Sequence, residues 1–339
     1  MNILIVRSDG MGDVILSLPV ATQLRKLVPD ATIGFLTSPA VAPVLEHHPD
    51  VDYVRTVRRT DPLRELCVAF SEGIDAAVFL KPFRYLMWAA FLSRVPIRVA
   101  TGFRWYSVLA NRHIYEHRSE FLKHESEYNV EMLRGLGLSP QDVRPPVLVV
   151  GEEEQKEGER RWVGLPYPRV VIHPGGHSAR RWSPAHFRDL ACALARKGHG
   201  VVLTGSEGEG VAFDRDWLSN TTLPTGITNL MGRLTVRELM GVIANAHVVV
   251  SGATGPAHLA AALGTAVVSL FDPRRNNVST RWRPLGKGLL LRPDVPTCDR
   301  CIEDLCPYWD CLDRMTVDRV SAAVEYVAKA PAALRVLHL

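Results

Sequence analysis

The chain predicts an α/β protein built from two doubly wound domains, each a parallel sheet flanked by helices. Three observations carry this. Short apolar runs of strand length alternate with longer amphipathic stretches from the N-terminus onward. The alternation breaks at Pro145-Pro146 and the acidic run Gly151-Glu152-Glu153-Glu154, then restarts. The 339 residues are enough for two domains of ordinary size. The expected division is 1–150 and 151–339, with a cleft between the domains and ligands bound beyond the carboxyl ends of the strands.

In the first half, Ile3 to Val6 reads as a strand and Val14 to Leu27 as a helix ending near Pro29. Thr32 to Leu36, Val51 to Val57 and Ala76 to Leu80 read as further strands, and Arg98 to Ala100 as a short edge strand. Glu125 to Leu136 is a helix closed by Gly137. In the second half the expected strands are Val170 to His173, Gly200 to Thr204, Val248 to Val250 and Ala266 to Phe271. The expected helices are Pro184 to Arg196, Thr235 to Ala244 and Pro256 to Leu263.

A hydrophobic content of 47% and a charged content of 22% are those of a soluble globular protein. No apolar run approaches a membrane span, and MNILIVRSDG does not read as a signal peptide, so a cytoplasmic location is expected. The net charge of +4 is unevenly spread. From Lys81 to Arg118, seven basic residues (Arg104 among them) face one acid, Glu116, with Phe83, Tyr85, Trp88, Phe91, Phe103, Trp105 and Tyr106 interleaved. Such a segment suits an anionic headgroup or a phosphorylated sugar; the plain alternative is core aromatics with a solvated rim of arginines. A basic patch without a recognisable binding module argues against nucleic acid.

The strongest local signal is Ser251 to Gly264, SGATGPAHLAAALG, directly after Val248 to Val250. Gly252, Thr254 and Gly255 make a tight turn into a helix whose first turn accepts Pro256, a ready site for a phosphate or diphosphate, with His258 close by. A plain strand-to-helix connection is the alternative. His173-Pro174-Gly175-Gly176-His177-Ser178-Ala179-Arg180-Arg181-Trp182 is a second such loop: its glycines allow close backbone approach, Ser178 adds a hydroxyl, and Arg180 with Arg181 supplies guanidinium forks. His173 itself reads as a satisfied core histidine.

Near the N-terminus, Ser8-Asp9-Gly10-Met11-Gly12-Asp13 follows the first strand. Ile15 at the third glycine position and the acid-free end Leu36-Thr37-Ser38 of the second strand argue against a nicotinamide enzyme. Asp13 sits at a helix start, where the dipole favours its ionised form; it is either a cap or a general base. Cys298, Cys301, Cys306 and Cys311 have the spacing of a zinc knuckle with cysteine in place of histidine. A structural zinc, two disulfides and packed free thiols all remain open. Four thiolate ligands would leave no position for chemistry.

The collinear motifs RSDGMGD, HPGGHSARRWSPAHF, NLMGRLT from Asn229 and SGATGPAHLAAALG resemble glycosyltransferase family 9, which includes the lipopolysaccharide heptosyltransferases. The resemblance spans nearly the whole chain, with His124-Glu125-Ser126-Glu127 and the cysteines included. It implies a GT-B architecture of two Rossmann-like domains and an inverting transfer that needs no catalytic cofactor or metal. The donor would be a nucleotide-diphosphate sugar such as ADP-heptose, held by the C-terminal domain. The acceptor would be a glycolipid, met by the N-terminal domain in peripheral contact with the inner face of the cytoplasmic membrane. Asp13 matches the family's base. Arg180 falls where the family has a lysine on the donor diphosphate, Thr254, Gly255 and His258 match its phosphate turn, and Glu238 is the counterpart of an acid on the nucleotide ribose. Ser178 joins the donor side, and Gly10, Gly12 and Arg104 the acceptor side. One departure is Ala253, where heptosyltransferases carry an aspartate directed at the donor sugar. It leaves the sugar's identity open. Two other readings are a GT-B-like nucleotide-sugar epimerase or phosphorylase, working without an Asp13 base, and a non-catalytic nucleotide-sugar binder.

Overall fold

The computed structural model describes residues 1–71, 73–176, 181–215, 223–302, 305–329 and 337–338. They form two compact units, Met1–Val149 and Val150–Leu339, each with its own apolar core.

The strands of the N-terminal unit are β1 (Asn2–Val6), β2 (Thr32–Thr37), β3 (Tyr53–Thr56), β4 (Ala76–Phe79), β5 (Ile97–Thr101) and β6 (Arg112–Ile114). Among the described residues they make one sheet in the order β3-β2-β1-β4-β5-β6, all neighbours parallel. The helices are α1 (Met11–Ile15), α2 (Leu18–Leu27), α3 (Leu63–Val68), α4 (Arg84–Leu92) and α5 (Glu125–Glu131). A parallel sheet is covered on both faces, so its central strands are apolar rather than alternating. Ile3 to Val6 and Ala76 to Phe79 are accordingly all buried, and Leu86, Met87, Ala89 and Ala90 of α4 complete the core on one side.

The C-terminal unit holds α6 (Glu152–Arg160), β7 (Arg169–His173), α7 (Pro184–Arg196), β8 (Gly200–Leu203), α8 (Glu207–Phe213), β9 (Ile227–Asn229) and α9 (Val236–Ala244). There follow β10 (Val248–Gly252), α10 (Gly255–Ala262), β11 (Ala266–Leu270), α11 (Ser279–Trp282), β12 (Gly288–Leu291), α12 (Val317–Lys329) and β13 (Leu337–His338). The sheet order is β13-β12-β11-β10-β7-β8-β9, parallel throughout. Counted from its own first strand, this is the winding of the N-terminal sheet with one strand added beyond β12. Trp182 is buried against Phe187 of α7, rings edge to face at 5.0 Å, and its indole N–H donates to the Met315 carbonyl at 2.9 Å. Burial of a side chain this size stabilises by about 1.5–3 kcal/mol.

In both sheets the strand order reverses beside the first strand, at β1/β4 and at β7/β10. Such a reversal opens a crevice at the carboxyl ends, because the flanking connections leave to opposite faces. Register then decides what meets there: Val6 lies opposite Phe79, and His173 opposite Ser251.

Several elements differ from the sequence expectation. The helix expected from Val14 to Leu27 is two, α1 and α2, parted at Leu16 and Ser17. Pro19 has no N–H for the Ile15 carbonyl, and the Ser17 hydroxyl turns back to the Asp13 carbonyl at 2.7 Å. The helix expected to Leu136 tightens into a 3-10 turn after Glu131, ending at Gly137 with φ 77°. The strand expected at the edge, now Ile97–Thr101, is internal, because β6 pairs beyond it. The acidic run at Glu152 opens α6, where carboxylates suit the helix N-terminus.

Candidate functional site

The N-terminal crevice is built around Arg7, the first residue after β1. Its side chain is almost wholly buried and spreads over three acids. Nε donates to Asp9 Oδ1 at 2.7 Å, Nη2 pairs with Asp13 Oδ1, and Nη1 reaches Glu125 Oε1 at 3.1 Å and Asn129 Oδ1 at 3.4 Å. Lys81, two residues beyond β4, crosses the switch point to Asp9 Oδ2 at 3.0 Å. Arg118 binds the same Glu125 oxygen at 2.5 Å and Asn129 Oδ1 at 3.1 Å. Arg7, Lys81 and Arg118 thus face Asp9, Asp13 and Glu125. Asn129 completes the frame, its amide donating to the Leu16 carbonyl and to Ser17 Oγ, both at 3.2 Å.

Local sequence explains the placement. Gly10 is the N-cap of α1 with extended backbone, and a Cβ there would stand 3.2 Å from Asp13 Oδ2. Glycine therefore leaves the carboxylate its room. Glu125 and Asn129 are four apart on α5 and so share one face. That helix is fixed by a capping box in which His124 Nδ1 accepts from the Ser126 N–H and Glu127 accepts from the His124 N–H.

Asp13 keeps 27% of its side-chain surface open, whereas Glu125 keeps 1%. Burial pushes the Asp13 carboxyl up; Arg7 and Lys81 oppose this, while Asp9 and Glu125 reinforce it, and the outcome lies above the ordinary carboxylate range. The helix dipole, expected from the sequence to favour the ionised form, is outweighed by burial and the neighbouring acids. Arg7 shows the complementary behaviour: burial disfavours its charge, but Asp13, Asp9 and Glu125 raise its pKa. An acid with a raised pKa, partly open and fixed by a guanidinium, is suited to accept a proton.

The second crevice lies at the carboxyl ends of β7 and β10. The Gly176 N–H donates to Glu209 Oε1 at 2.8 Å, and its φ of 142° is accessible to glycine alone. A Cβ at Gly176 would sit 2.5 Å from Thr254 Cγ2, and one at Gly175 would overlap the Glu209 carboxylate. The two loops named by the sequence are therefore in contact. Thr254 is the N-cap of α10, but its side chain does not cap that end; its hydroxyl shares a hydrogen bond with Ser251 Oγ at 3.1 Å. His258 is buried in the first turn. Ala253 donates its N–H to the Leu270 carbonyl at 3.1 Å, and its methyl offers no polar contact.

His173 Nδ1 lies 3.0 Å from Thr204 Oγ1, and burial pushes its pKa down to about 4, with Glu209 opposing. It is a neutral core histidine. Burial alone would raise the Glu209 carboxyl, but hydrogen bonds from Ser206 and Gly176 hold it below its ordinary value. Glu238 is engaged in the capping box of α9, accepting the Thr235 N–H at 2.7 Å, and Arg161 reaches its other oxygen at 3.3 Å. Arg104 is exposed at the start of a 3-10 turn, Trp105–Leu109, beyond β5. Ser178 and Arg180 lie outside the described residues.

Cys298, Cys301, Cys306 and Cys311 all border one small pocket, together with Asp272 and Arg274. The pocket is tied to the sheet: Arg274 forks onto the buried Asp272 just after β11, and the Arg275 N–H donates to the Cys298 carbonyl at 2.7 Å. Burial pushes the Cys298 thiol up, with Asp272 adding to it. Among the described residues no disulfide joins these cysteines, and no three His, Cys, Asp or Glu side chains are close enough to hold a metal ion.

Arg7, Asp9, Lys81, Arg118, Glu125 and Asn129 were not singled out by sequence motifs as partners of Asp13. The spacing of Glu125 and Asn129 is the available signal: two polar residues four apart on a helix whose Tyr128 and Val130 are also buried.

The chain is similar over 99% of its length, at 24% identity, to lipopolysaccharide heptosyltransferase 1 of Pseudomonas aeruginosa, all of which is covered. The crystal structure of a family 9 glycosyl transferase from Veillonella parvula superposes with a TM-score of 0.81 at 18% identity, over 96% of this chain and 97% of that one. The structure of E. coli ADP-heptose LPS heptosyltransferase II gives 0.78 at 21% identity, over 97% and 98%. These likenesses identify the fold as GT-B. The family described as glycosyltransferase family 9 (heptosyltransferase) matches residues 83–294, well over half of the chain, and the protein belongs to that family of glycosyltransferases.

Proposed function

We propose that the protein is an inverting glycosyltransferase of cell-envelope glycolipid synthesis. It moves a heptose or related sugar from a nucleotide-diphosphate donor to a lipopolysaccharide-core acceptor. The observation that carries this reading is the Asp13 carboxylate at the N-terminal switch point, partly open, raised in pKa and fixed by Arg7. The acceptor hydroxyl gives its proton to that carboxylate while its oxygen bonds to the anomeric carbon. The bond from that carbon to the diphosphate oxygen breaks, and the nucleoside diphosphate leaves with the electron pair. A single displacement inverts the configuration.

The leaving charge is assigned to Arg180, Ser178 and the turn of Thr254, Gly255 and His258, which act as fixed donors without a metal. Support comes from the two contacting loops at the β7/β10 crevice, and from the ADP-heptose donor of the E. coli enzyme of like fold. For Glu238 to take the nucleotide ribose, it must exchange its capping-box bond for that contact. Gly10, Gly12 and Arg104 serve the acceptor side. Ala253 makes no polar contact with a sugar, so the transferred sugar is given as heptose or a relative. The reaction is placed in the cytoplasm, at the inner face of the cytoplasmic membrane where a lipid-borne acceptor is presented. Among the described residues no helix is long and apolar enough to cross a membrane.

A structural zinc is proposed for Cys298, Cys301, Cys306 and Cys311. Their knuckle-like spacing and their place around one pocket carry this; as they stand they are not close enough to hold an ion, so binding must draw the thiols together beside Asp272 and Arg274. Elemental analysis of the purified protein tests it: near-stoichiometric zinc lost in Cys298→Ser supports the site, and none detected removes it.

The function is tested with Asp13→Asn, which abolishes sugar transfer yet keeps the donor-induced rise in melting temperature. Wild-type sugar transfer by this variant would remove Asp13 as the base, and epimerase or phosphorylase activity that survives Asp13→Ala would assign the same loops to that chemistry instead. Donor binding by the unaltered protein without transfer or hydrolysis, on any extracted lipid acceptor, points to a non-catalytic binder.

A further inference from the structure

A row of polar side chains crosses the otherwise aliphatic C-terminal sheet beneath the Thr254 turn. Register pairs His173 with Ser251 and Ser251 with Ser269, and the pairing of Ile172 with Leu203 sets Thr204 beside His173. All four are buried. Side chains alternate along a strand, so the row faces away from the core that holds Ile172, Leu203, Val250 and Val268. A buried hydroxyl costs more than an aliphatic group unless it is bonded. Thr204 and His173 meet each other at 3.0 Å, whereas Ser269 Oγ has no partner among the described residues. Ser251 instead reaches out of the row to Thr254 Oγ1, at 3.1 Å.

That bond has a direction. Ser251 is 0% exposed, and Thr254 Oγ1 is the acceptor available to its hydroxyl proton. A buried donor left unbonded costs more than an oxygen left with a spare lone pair, so Ser251 donates and Thr254 accepts. The Thr254 proton is then without an acceptor among the described residues, on a side chain that is itself buried. Thr254 also forgoes the bond its position invites. It is the N-cap of α10 with extended backbone, φ −136° and ψ 176°, where a threonine oxygen ordinarily accepts an N–H of the first turn. Ser183, Ser206 and Thr235 do so at α7, α8 and α9. At α10, Pro256 has no N–H and the Ala257 N–H goes to the Thr254 carbonyl at 3.1 Å. The turn is thus short of N–H donors, and the Thr254 hydroxyl is held back from its own helix.

We infer that Ser251 is a positioning residue for the donor: its bond to Thr254 Oγ1 aims the Thr254 O–H at a phosphate oxygen of the nucleoside diphosphate. This rests on the donor turn proposed above and identifies what orients its threonine. Without the serine, the Thr254 side chain rotates to cap α10 through the Ala257 N–H, and the ligand loses a hydrogen bond.

The test is titration calorimetry of the full chain with ADP. Ser251→Ala and Thr254→Val each weaken ADP binding about tenfold, as loss of a hydrogen bond to a charged group does. The double variant binds no more weakly than Thr254→Val, because Ser251 acts through that hydroxyl. Adenosine, which has no phosphate, distinguishes none of these variants from the parent. Ser269→Ala, in the same row but not bonded to Thr254, keeps the parental ADP affinity. The comparison of the double variant with Thr254→Val decides even where a single variant melts lower. Parental ADP affinity in Ser251→Ala overturns the inference. So does a double variant weakened by the product of the two single losses, or an equal loss of adenosine binding; each leaves the donor turn itself standing. No binding of ADP by the unaltered protein counts against the proposed donor turn, and the inference falls with it.

Discussion

Arg7 and Asp13 are six residues apart and bound directly, Nη2 to Oδ1, across the turn that joins β1 to α1. The same guanidinium holds Asp9 and Glu125, so one buried cation fixes the position of three carboxylates drawn from two distant stretches of chain. Arginine suits this, because its five N–H donors are spread over three nitrogens held in one rigid plane, far enough apart to reach separate carboxylates.

Removing that fork is therefore expected to be severe. Arg7→Met removes one of the cations that neutralise Glu125, which is 1% exposed and keeps its ion pair with Arg118. Breaking a buried ion pair on one side costs about 3–5 kcal/mol, and that loss is expected in the urea unfolding of the N-terminal unit. Combining Arg7→Met with Glu125→Gln should recover part of it. If the double variant is as unstable as the sum of the two single ones, the residues do not act as a pair.

The acid limb of the pH profile follows from the surroundings of Asp13. Its carboxyl lies above the ordinary aspartate range, and a base must be ionised, so kcat/KM should fall on acidification at a higher pH than an ordinary aspartate would give. Glu125→Gln removes one of the neighbouring charges that raise Asp13 and leaves Arg7 fewer acids to serve. Both changes favour the Asp13 carboxylate, so the limb should move to lower pH. An unmoved limb in Glu125→Gln means that the titrating group is not Asp13.

Much of this arrangement was open to a reading of the sequence, and the exceptions have physical causes. The strand and helix pairs β7–α7 and β10–α10 were legible because apolar runs are followed by strong start signals, Ser183-Pro184 and Gly255-Pro256. Helix α4 was not, since Arg84 to Leu92 is apolar on nearly every face and shows no helical period until the exposed and buried positions are known. Strand β6, three residues containing Arg112 and His113, has no apolar run to announce it. Asp13 was legible from its glycine turn. Its partners were not, because Glu125 and Asn129 reach it through the folding of over a hundred intervening residues, and no local spacing encodes that. Ser178 and Arg180 fall outside the described residues, so the donor loop is known by its sequence and by the glycines that precede it.

Those glycines support a third prediction. Gly176 has a φ of 142° and faces the Thr254 side chain, so Gly176→Ala meets backbone strain and a close methyl contact together. A loss of roughly 1–3 kcal/mol is expected in the stability of the C-terminal unit. Donor affinity should fall as well, because the Thr254 turn is displaced. Gly164→Ala, at another left-handed glycine with open space around it, controls for strain alone: its stability should drop without loss of donor binding. Equal donor affinity in Gly176→Ala and the parent would separate the two loops functionally.

The last prediction concerns pH and stability, and it comes from His173. Burial lowers its pKa from the ordinary 6.5 to about 4. Between these values the unfolded chain carries a proton on this residue that the folded chain does not. Stability therefore increases with pH across that window and is lost as pH falls from about 6.5 toward 4. The full effect of the shift is on the order of 3 kcal/mol. Replacing the histidine with a neutral residue that keeps a contact to Thr204 should flatten the dependence, so His173→Asn is compared with the parent in urea unfolding at pH 7 and pH 5. At pH 7 the variant is less stable, having lost packing beside β10. At pH 5 the gap narrows, because the parent alone must expel a proton to fold. A gap of constant size at both pH values would show that His173 does not carry the linkage.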